Sequence, residues 1–303
     1  MKSYLGKTVY ITGGSSGIGL AAAKQFAAAG ANVAIFSRDR KKLDAALPLI
    51  EAARAAAGQK FLAVQMDVGN HAEVDTLMAA TVRSFGVPDV LVNSAGVAWC
   101  NYIEETPYTE CERMMMTDFF GVRNTVTALV PFMKERGGNI VNVASILGVV
   151  GVYGYSAYCP AKFAVIGFSE VLRAELKPHN IRISILCPPD TNTPQLVEEN
   201  RTKPPETKAV SGNAGLMQPE QVAAAMIKGM ERGKLMIVPG FMNWLTWTMK
   251  RLWPGFVFSF MDSDVRKVQA KMGSGDQGSE GSGQHPSSVR RGPRRPTPGP
   301  RNP

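Results

Sequence analysis

Three polar side chains in the middle of the chain have the types needed to deliver a proton to a carbonyl oxygen. Tyr158 and Lys162 lie four residues apart in the segment YCPAK, so they share one face of a helix. A free phenol, with a pKa of about 10, holds its proton too tightly for fast transfer at neutral pH, and a nearby ammonium group lowers that pKa by stabilising the phenolate. Ser145, at the end of a predicted strand, would donate a hydrogen bond to the same oxygen. The three residues predict a catalytic centre for hydride addition to a ketone.

Each of these residues also has a purely structural interpretation. Tyr158 and Lys162 alone would fit an exposed tyrosine beside a surface lysine, and Ser145 alone would fit a cap at a strand end. Their common position favours catalysis, because the carboxyl edge of a parallel sheet is where a cofactor cleft opens. No group of His, Cys or Asp residues with ligand spacing accompanies them in the sequence, so we expect no metal.

A glycine-rich turn, TGGSSGIG at positions 12–19, follows the first predicted strand and opens an alanine-rich helix. Glycines there permit a tight turn, close approach of a pyrophosphate to the backbone, and close contact between helix and strand. The free N–H groups and partial positive charge of the helix N-terminus favour phosphate binding. The predicted cofactor-binding residues of this turn are Gly13, Ser15, Ser16, Gly17, Ile18 and Gly19.

The segment FSRDRKK at positions 36–42, at the end of the second predicted strand, indicates which dinucleotide fits. Ser37 stands where a carboxylate would select NAD by binding the ribose hydroxyls, and Arg38 follows with the charge that a 2′-phosphate requires. Asp39 has the opposite charge, but it is placed to cap the next helix. The predicted cofactor is therefore NADP(H).

Two further strand ends belong to the same predicted site. Asp67 ends the third strand, where its carboxylate would accept a hydrogen bond from the adenine amino group. Asn93, Ala95 and Gly96 follow the fourth strand and would lie against the cofactor at the switch point of the sheet. Lys162 would also hold the nicotinamide ribose hydroxyls.

The elements that position these residues alternate along the chain. Short runs rich in Val and Ile, as expected for parallel strands covered on both faces, lie at positions 8–12, 32–36, 61–66, 90–92, 139–143, 182–186 and 235–238. Segments of helical period between them predict helices over 18–29, 41–57, 72–84, 109–135 and 157–176. This alternation predicts an α/β fold, a Rossmann-like doubly wound parallel sheet flanked by helices, in one catalytic domain over residues 1–240.

Composition and charge bear on location and partners. Of the 303 residues, 45% are hydrophobic, which is ordinary for a globular protein. Four cysteines without metal-like spacing and the absence of a signal-peptide pattern predict a cytoplasmic protein, with the cytoplasmic face of a membrane as the alternative. Residues 273–303, a Gly/Ser/Pro/Arg segment predicted to be a disordered tail, supply +3 of the net charge of +9. We therefore expect no nucleic-acid partner.

From about residue 5 to residue 238 the chain resembles the short-chain dehydrogenases/reductases. The resemblance rests on TGGSSGIG, on NSAG at positions 93–96, on Ser145 and on YCPAK. It implies a Rossmann-like fold, a hydride-transferring reaction and assembly as a homodimer or tetramer.

A narrower resemblance concerns the segment after the sixth predicted strand. It reads CPPDTNTP at 187–194, where members of the larger family usually have Pro-Gly, and EENRTKPPET at 198–207. With KP at 177–178 and PEQV at 219–222, these strings are similar to the 3-ketodihydrosphingosine reductases. That similarity implies NADPH-dependent reduction of the 3-keto group of a long-chain keto-sphingoid base. It places Thr193 at the nicotinamide amide, with Thr191 and Pro188 also at the cofactor.

Two alternatives to this substrate and function remain open at the level of sequence. The proline-rich segment would also fit a lid of another specificity, for a 3-oxoacyl thioester or a hydroxysteroid. A protein of another class would bind NADP(H) as a regulator without turnover, although the complete Ser–Tyr–Lys set argues against that function.

Asp118 departs from the family pattern. It stands three residues before Gly121, where family members often carry an asparagine that anchors a water leading to the lysine. The Asp118 carboxylate would either accept from the same water or pair with Lys162 and weaken its effect on Tyr158. We predict a working proton relay with altered pH dependence, and Asp118 is the fourth predicted catalytic residue.

An aromatic segment, residues 241–272, follows the last predicted strand. It contains three of the chain's four tryptophans, a Lys-Arg pair at 250–251 and a proline at 254. The apolar part is too short for a transmembrane helix, and its composition suits a helix that lies in the membrane interface. A helix packed over the substrate pocket or in a subunit interface is the equal alternative.

Overall fold

The computed structural model describes residues 3–211 and 215–276. Within them, seven strands form one parallel sheet in the order β3-β2-β1-β4-β5-β6-β7. The strands are β1 (Thr8–Thr12), β2 (Asn32–Ser37), β3 (Phe61–Gln65), β4 (Val90–Asn93), β5 (Gly138–Val143), β6 (Ile181–Leu186) and β7 (Met236–Ile237). They confirm the predicted doubly wound sheet. Residues 273–276 of the predicted tail are helical, and the rest of it, from residue 277 onward, lies outside the described residues.

Helices flank the sheet, and the connections between strands pass through them. They are α1 (Gly17–Ala28), α2 (Arg40–Glu51), α3 (His71–Phe85), α4 (Tyr108–Met114), α5 (Gly121–Met133), α6 (Tyr158–Leu176), α7 (Pro194–Glu199), α8 (Pro205–Ser211), α9 (Pro219–Glu231), α10 (Phe241–Leu252) and α11 (Pro254–Asp276). The strand order reverses between β1 and β4, which is the switch point of a doubly wound sheet.

Successive residues of each strand pack into two different cores, one on each face of the sheet. In β1, Val9 and Ile11 join the cluster that includes Phe26 of α1, whereas Tyr10 joins the cluster that includes Met78 of α3. Every residue of β1 is buried. This burial on both faces explains why the strands read as continuous apolar runs rather than as an alternating pattern.

The helix predicted over 41–57 ends earlier, at Glu51. Beyond it, the Oε1 of the buried Gln59 accepts the backbone N–H groups of Ala55 and Ala56 at 2.8 and 2.7 Å. The Nε2 of Gln59 donates to the carbonyl oxygens of Ala27 in α1 and of Ala31, just before β2, at 2.9 and 2.7 Å. The prediction was wrong because a side chain contributed from outside the helical segment binds these N–H groups and ties the chain to α1.

The single helix predicted over 109–135 is three elements. A π-helical turn, Met115–Phe120, lies between α4 and α5. A π turn accommodates an extra residue in the helix and so rotates the side chains that follow relative to those before it. In this turn Thr117 and Asp118 are buried.

The two C-terminal helices pack on the protein by one face. Trp247, Val257 and Met261 join a cluster with Ile146 and Val150, in the loop that follows β5. The other face is exposed and aromatic, with Phe241, Trp244, Trp253, Phe256 and Phe260. In the described ranges, no helix is both long and apolar enough to cross a membrane.

Candidate active site

A cleft of about 610 Å³ opens at the carboxyl edge of the sheet. It is lined by residues that follow β1, β2, β4, β5 and β6, because parallel strands all end at the same edge. The structure brings most of the predicted site residues to its wall, namely Gly13, Ser15, Ser16, Gly17, Ile18, Arg38, Ala95, Gly96, Ser145, Tyr158, Lys162, Pro188, Thr191 and Thr193.

The glycines of the first turn allow close approaches that a side chain would block. A Cβ on Gly13, which has a φ of +67°, would lie 2.6 Å from the carbonyl oxygen of Ser94. A Cβ on Gly19 would collide with the carbonyl oxygen of Gly13, so Gly19 acts from behind the wall by letting α1 approach the turn. The first turn of α1 contains no acidic residue. Its N–H groups therefore suit an anionic ligand.

The turn after β2 and the first turn of α2 place two cations in the cleft wall. Arg38 and Lys42 both line the cleft, and their nearest carboxylates are distant, at 3.9 Å for Arg38–Asp67 and 3.9 Å for Lys42–Asp39. The Oδ1 of Asp39 accepts the backbone N–H of Lys42 at 3.1 Å, so Asp39 caps α2 as the sequence indicated. Because such long, exposed ion pairs are weak, both cations remain available to an anion in the cleft.

Two other predicted cofactor residues lie outside the cleft wall. Asn93 is buried, donates to the Oδ1 of Asn142 at 2.9 Å and accepts from the hydroxyl of Thr125 at 2.7 Å. Asp67 is half-exposed beside Arg38, and its Oδ1 accepts the backbone N–H of Gly69 at 2.9 Å. Their contacts with a cofactor stay predictions.

Ser145, Tyr158 and Lys162 meet at the middle of the cleft. Tyr158 and Lys162 occupy the first two turns of α6, and Ser145 follows β5, where its Oγ accepts the backbone N–H of Leu147 at 3.1 Å. The Nζ of Lys162 lies 5.4 Å from the centroid of the Tyr158 ring and donates to the carbonyl oxygen of Val143 at 3.3 Å. The shared face that the four-residue spacing predicts is present.

Lys162 forms a buried ion pair with Asp118. The Nζ of Lys162 lies 3.3 Å from the Oδ2 of Asp118, and the side chains are 5% and 0% exposed. The Oδ1 of Asp118 accepts the backbone N–H of Val97 at 2.8 Å. Burial raises the pKa of Asp118, while the charge of Lys162 and the N–H of Val97 lower it. Two roles were predicted for Asp118, and the structure shows the ion pair with Lys162. Asp118 is buried and is not itself part of the cleft wall.

The pKa of Tyr158 is raised rather than lowered. Burial raises it well above its ordinary value, the carboxylates of Asp118 and Glu199 raise it further, and the hydroxyl of Ser145 lowers it. The predicted direction was wrong because the side chain of Tyr158 is almost completely buried and the charge of Lys162 is balanced by Asp118. A phenol with a raised pKa stays protonated at neutral pH, which is the form that can donate a proton to a ketone oxygen.

A second charged cluster in the cleft wall carries no predicted role. The Nζ of Lys203 lies 2.7 Å from the Oε1 of Glu199 and 3.7 Å from the Oδ2 of Asp190. The hydroxyl of Tyr155 donates to Glu199 as well. The four-residue spacing of Glu199 and Lys203 was an available signal for their ion pair. Tyr155 is 44 residues distant from Glu199, and no local pattern indicates that contact.

The family model for short chain dehydrogenases matches residues 7–204, more than half of the chain. The chain belongs to the short-chain dehydrogenase family. This confirms the resemblance inferred from the motifs, and it indicates a nicotinamide dinucleotide as the cofactor of the cleft.

Curated members of the family give a narrower comparison. The chain is 38% identical to a 3-dehydrosphinganine reductase of Danio rerio over 230 residues, which are 75% of this chain and 69% of that protein. It is 35% identical to a 3-ketodihydrosphingosine reductase of Dictyostelium discoideum, over 85% of this chain and 81% of the relative. The narrower resemblance to the 3-ketodihydrosphingosine reductases is thereby confirmed.

Solved structures of short-chain dehydrogenases share the fold. Levodione reductase superposes with a TM-score of 0.70 at 24% identity, covering 77% of this chain and 95% of that one. A short-chain dehydrogenase/reductase from Burkholderia phymatum in complex with NAD superposes with a TM-score of 0.69 at 25% identity, covering 78% and 90%. The predicted homodimer or tetramer and the predicted cytoplasmic location stay predictions.

Replacing Asp118 by asparagine should lower the pKa of Tyr158. The variant lacks a carboxylate that raises this pKa and leaves the charge of Lys162 unbalanced. Ketone reduction needs the protonated phenol, so the rate falls as the pH rises through the pKa of Tyr158, and this fall should begin at lower pH in Asp118→Asn. The measurement is kcat/KM against pH for the wild type, for Asp118→Asn and for the exposed control Asp44→Asn. Superimposable profiles for all three would contradict the coupling.

Proposed function

We propose that the protein reduces the 3-keto group of 3-ketodihydrosphingosine to the hydroxyl group of dihydrosphingosine, a reaction of sphingolipid biosynthesis, with NADPH as the reductant. The observation that carries this proposal is the identity of 35–38%, over most of the chain, to proteins named for this reaction. The Ser145–Tyr158–Lys162 set in the cleft supplies the groups that a ketone reduction needs.

The residues of the cleft fit a dinucleotide phosphate. Gly13 and Gly19 allow the first turn a tight backbone path that a Cβ would block, so a pyrophosphate can approach the backbone and the N-terminus of α1. Arg38 and Lys42 provide the positive charge for a 2′-phosphate, and Ser37 replaces the carboxylate that would repel it. When bound, the reduced nicotinamide supplies the hydride. Thr191, Thr193 and Pro188 have the positions to hold the nicotinamide.

The proton comes from the phenol of Tyr158. Ser145 donates a hydrogen bond to the ketone oxygen and orients it, and Tyr158 gives its proton to that oxygen as negative charge develops there. Lys162 holds the ribose hydroxyls and lies near enough to the phenol ring to stabilise the phenolate. Asp118 acts on the reaction through Lys162, because it holds the ammonium group in place and balances its charge.

The exposed face of α10 and α11 is suited to a membrane surface. Its aromatic side chains include Phe241 at 71% exposure and Phe256 at 63%. Lys250 and Arg251 lie over the rings of Phe258 and Trp247, at 4.5 and 5.4 Å from their centroids. Aromatic rings beside cations are typical of helices at the membrane interface. A lipid substrate gives such docking a purpose, because the enzyme then meets its substrate in the membrane.

Tyr158→Phe tests the catalytic proposal. The variant keeps the ring but lacks the proton donor, so kcat with NADPH and 3-ketodihydrosphingosine in detergent micelles should fall by roughly 10²- to 10⁴-fold while NADPH binding is retained. Absorbance of the reduced nicotinamide measures turnover, and the exposed Tyr108→Phe is the matched control. If the wild type binds NADPH but leaves the sphingoid ketone unreduced, the substrate assignment fails and oxoacyl and steroid ketones become the next candidates.

Arg38→Ala tests the choice of dinucleotide. Loss of a charge-assisted contact with the 2′-phosphate should raise KM for NADPH roughly 10- to 100-fold and leave KM for NADH nearly unchanged. Arg40→Ala is the control, because Arg40 pairs with Asp44 at 2.7 Å on the exposed side of α2. Equal changes of KM for NADPH and NADH would show that Arg38 does not bind the 2′-phosphate.

Replacing Trp244 and Phe256 together by serine tests membrane docking. The wild type should co-sediment with vesicles of phosphatidylcholine and phosphatidylglycerol, and the double variant should bind them roughly tenfold more weakly or worse, because two aromatic side chains no longer enter the interface. Phe132→Ser on α5 is the control for an exposed aromatic residue elsewhere. A wild type that stays in the supernatant would rule out docking by this face.

A further inference from the structure

The cluster of Asp190, Glu199 and Lys203 lies at the opposite end of the cleft from Arg38. Arg38 follows β2 and Asp190 follows β6, and four strand spacings separate these strands in the sheet, a distance of about 19 Å. Asp190 and Glu199 line the same cleft as Ser145 and Tyr158. The cleft therefore has a cationic end and an end where carboxylates predominate.

The carboxylate end is held in place by buried contacts. The side chain of Lys203 is 2% exposed, and its Nζ lies 2.7 Å from Glu199, to which the hydroxyl of Tyr155 also donates. The pKa of Tyr155 is raised by burial and then by the charge of Glu199, so Tyr155 is neutral. One lysine thus faces two carboxylates, and the cluster carries one negative charge in excess.

The excess charge falls on Asp190. Its carboxylate is 32% exposed and lies 3.7 Å from the Nζ of Lys203, which is too far for a good hydrogen bond. From the residues that the structure describes, this carboxylate accepts no hydrogen bond. The other acidic lining residue of this end, Glu198, is mostly exposed and bonds to Arg201 at 2.9 Å. Asp190 therefore has both carboxylate oxygens free to accept a hydrogen bond, whereas the Oε1 of Glu199 is already bonded to Lys203 and Tyr155.

The cluster is close to the place where the ketone reacts. Tyr155 lies three residues before Tyr158, which begins α6, and their ring centroids are separated by 6.0 Å. Glu199 is near enough to Tyr158 for its charge to raise the pKa of that phenol. The nearer ion pair, Lys162 with Asp118, is neutral overall. A cation bound at Asp190 would therefore lie in the same cleft as Ser145 and Tyr158, next to the network that contacts Tyr158 through Tyr155.

The proposed substrate has a cation at that position. 3-Ketodihydrosphingosine carries an amino group on the carbon next to its carbonyl. An amine in that position, like a peptide α-amino group with a pKa of about 8, is mostly protonated at pH 7. A 3-oxoacyl thioester and a steroid ketone have no such group. Resting on the proposed function, we propose that Asp190, oriented by the Lys203–Glu199–Tyr155 network, binds the substrate ammonium group and makes the enzyme selective for 2-amino ketones.

The binding of this ammonium has a consequence for proton transfer. A positive charge bound at Asp190 would offset the excess negative charge of the cluster, in which the charge of Glu199 raises the pKa of Tyr158. The same group that identifies the substrate therefore promotes the reaction. Asp190 is a specificity residue in this scheme, and Glu199, Lys203 and Tyr155 are positioning residues.

The test compares two ketones with the full-length enzyme and NADPH. One is 3-ketodihydrosphingosine, and the other is the same long-chain hydroxyketone without its amino group. The wild type should prefer the amino ketone by roughly 10- to 100-fold in kcat/KM, the effect of one charge-assisted contact. Asp190→Asn should lose most of this preference by losing activity on the amino ketone alone. Glu198→Gln, which removes a neighbouring exposed carboxylate, should keep it.

The outcomes separate this inference from the proposed function. If both ketones are reduced and Asp190→Asn keeps the wild-type preference, or loses activity on both ketones equally, the ammonium subsite is overturned. If the wild type reduces neither ketone, the proposed function fails, and the subsite is judged by binding. In that case dihydrosphingosine, a cationic amino alcohol, should raise the Tm of the NADPH-bound wild type more than that of Asp190→Asn. Equal shifts would overturn the subsite.

Discussion

Every strand of the sheet runs in the same direction, and the whole site depends on this constraint. Parallel strands bring their carboxyl ends to a single edge, so turns that are far apart in the chain form one wall. Gly13 follows β1, Ser145 follows β5 and Pro188 follows β6, and all three line the same cleft. The two buried cores on either side of the sheet hold this edge rigid. A rigid edge is what lets a few short turns position a dinucleotide and a ketone against each other.

The electrostatics of the cleft follow from burial as much as from charge. The sequence shows Lys162 as a cation. In the structure the carboxylate of Asp118, at 3.3 Å, balances that charge, and both side chains are buried. The enclosed phenol of Tyr158 then keeps its proton. The protonated phenol is the form that can give a proton to a ketone oxygen.

The segment after β6 joins the cofactor and substrate parts of the proposed site. Thr191 and Thr193 have the positions proposed for the nicotinamide, and Asp190 precedes them in the same turn. The hydroxyl of Thr193 accepts the N–H of Leu196 at 3.3 Å and so starts α7. That short helix ends at Glu199, which forms its ion pair with Lys203 four residues later. One continuous segment therefore joins the residues proposed to hold the nicotinamide to the carboxylates proposed to bind the substrate.

The sequence by itself determined the features that depend on local spacing. The strand–turn–helix with its glycines, the shared face of Tyr158 and Lys162, and the alternation of strands and helices all follow from backbone sterics and helical period. Tertiary structure alone decided the contacts between distant segments. Examples are the hydrogen bond from Ala55 to Gln59, the ion pair of Asp118 with Lys162 and the raised pKa of Tyr158. The reason is that burial and long-range charge depend on which surfaces pack together, and no spacing along the chain encodes that.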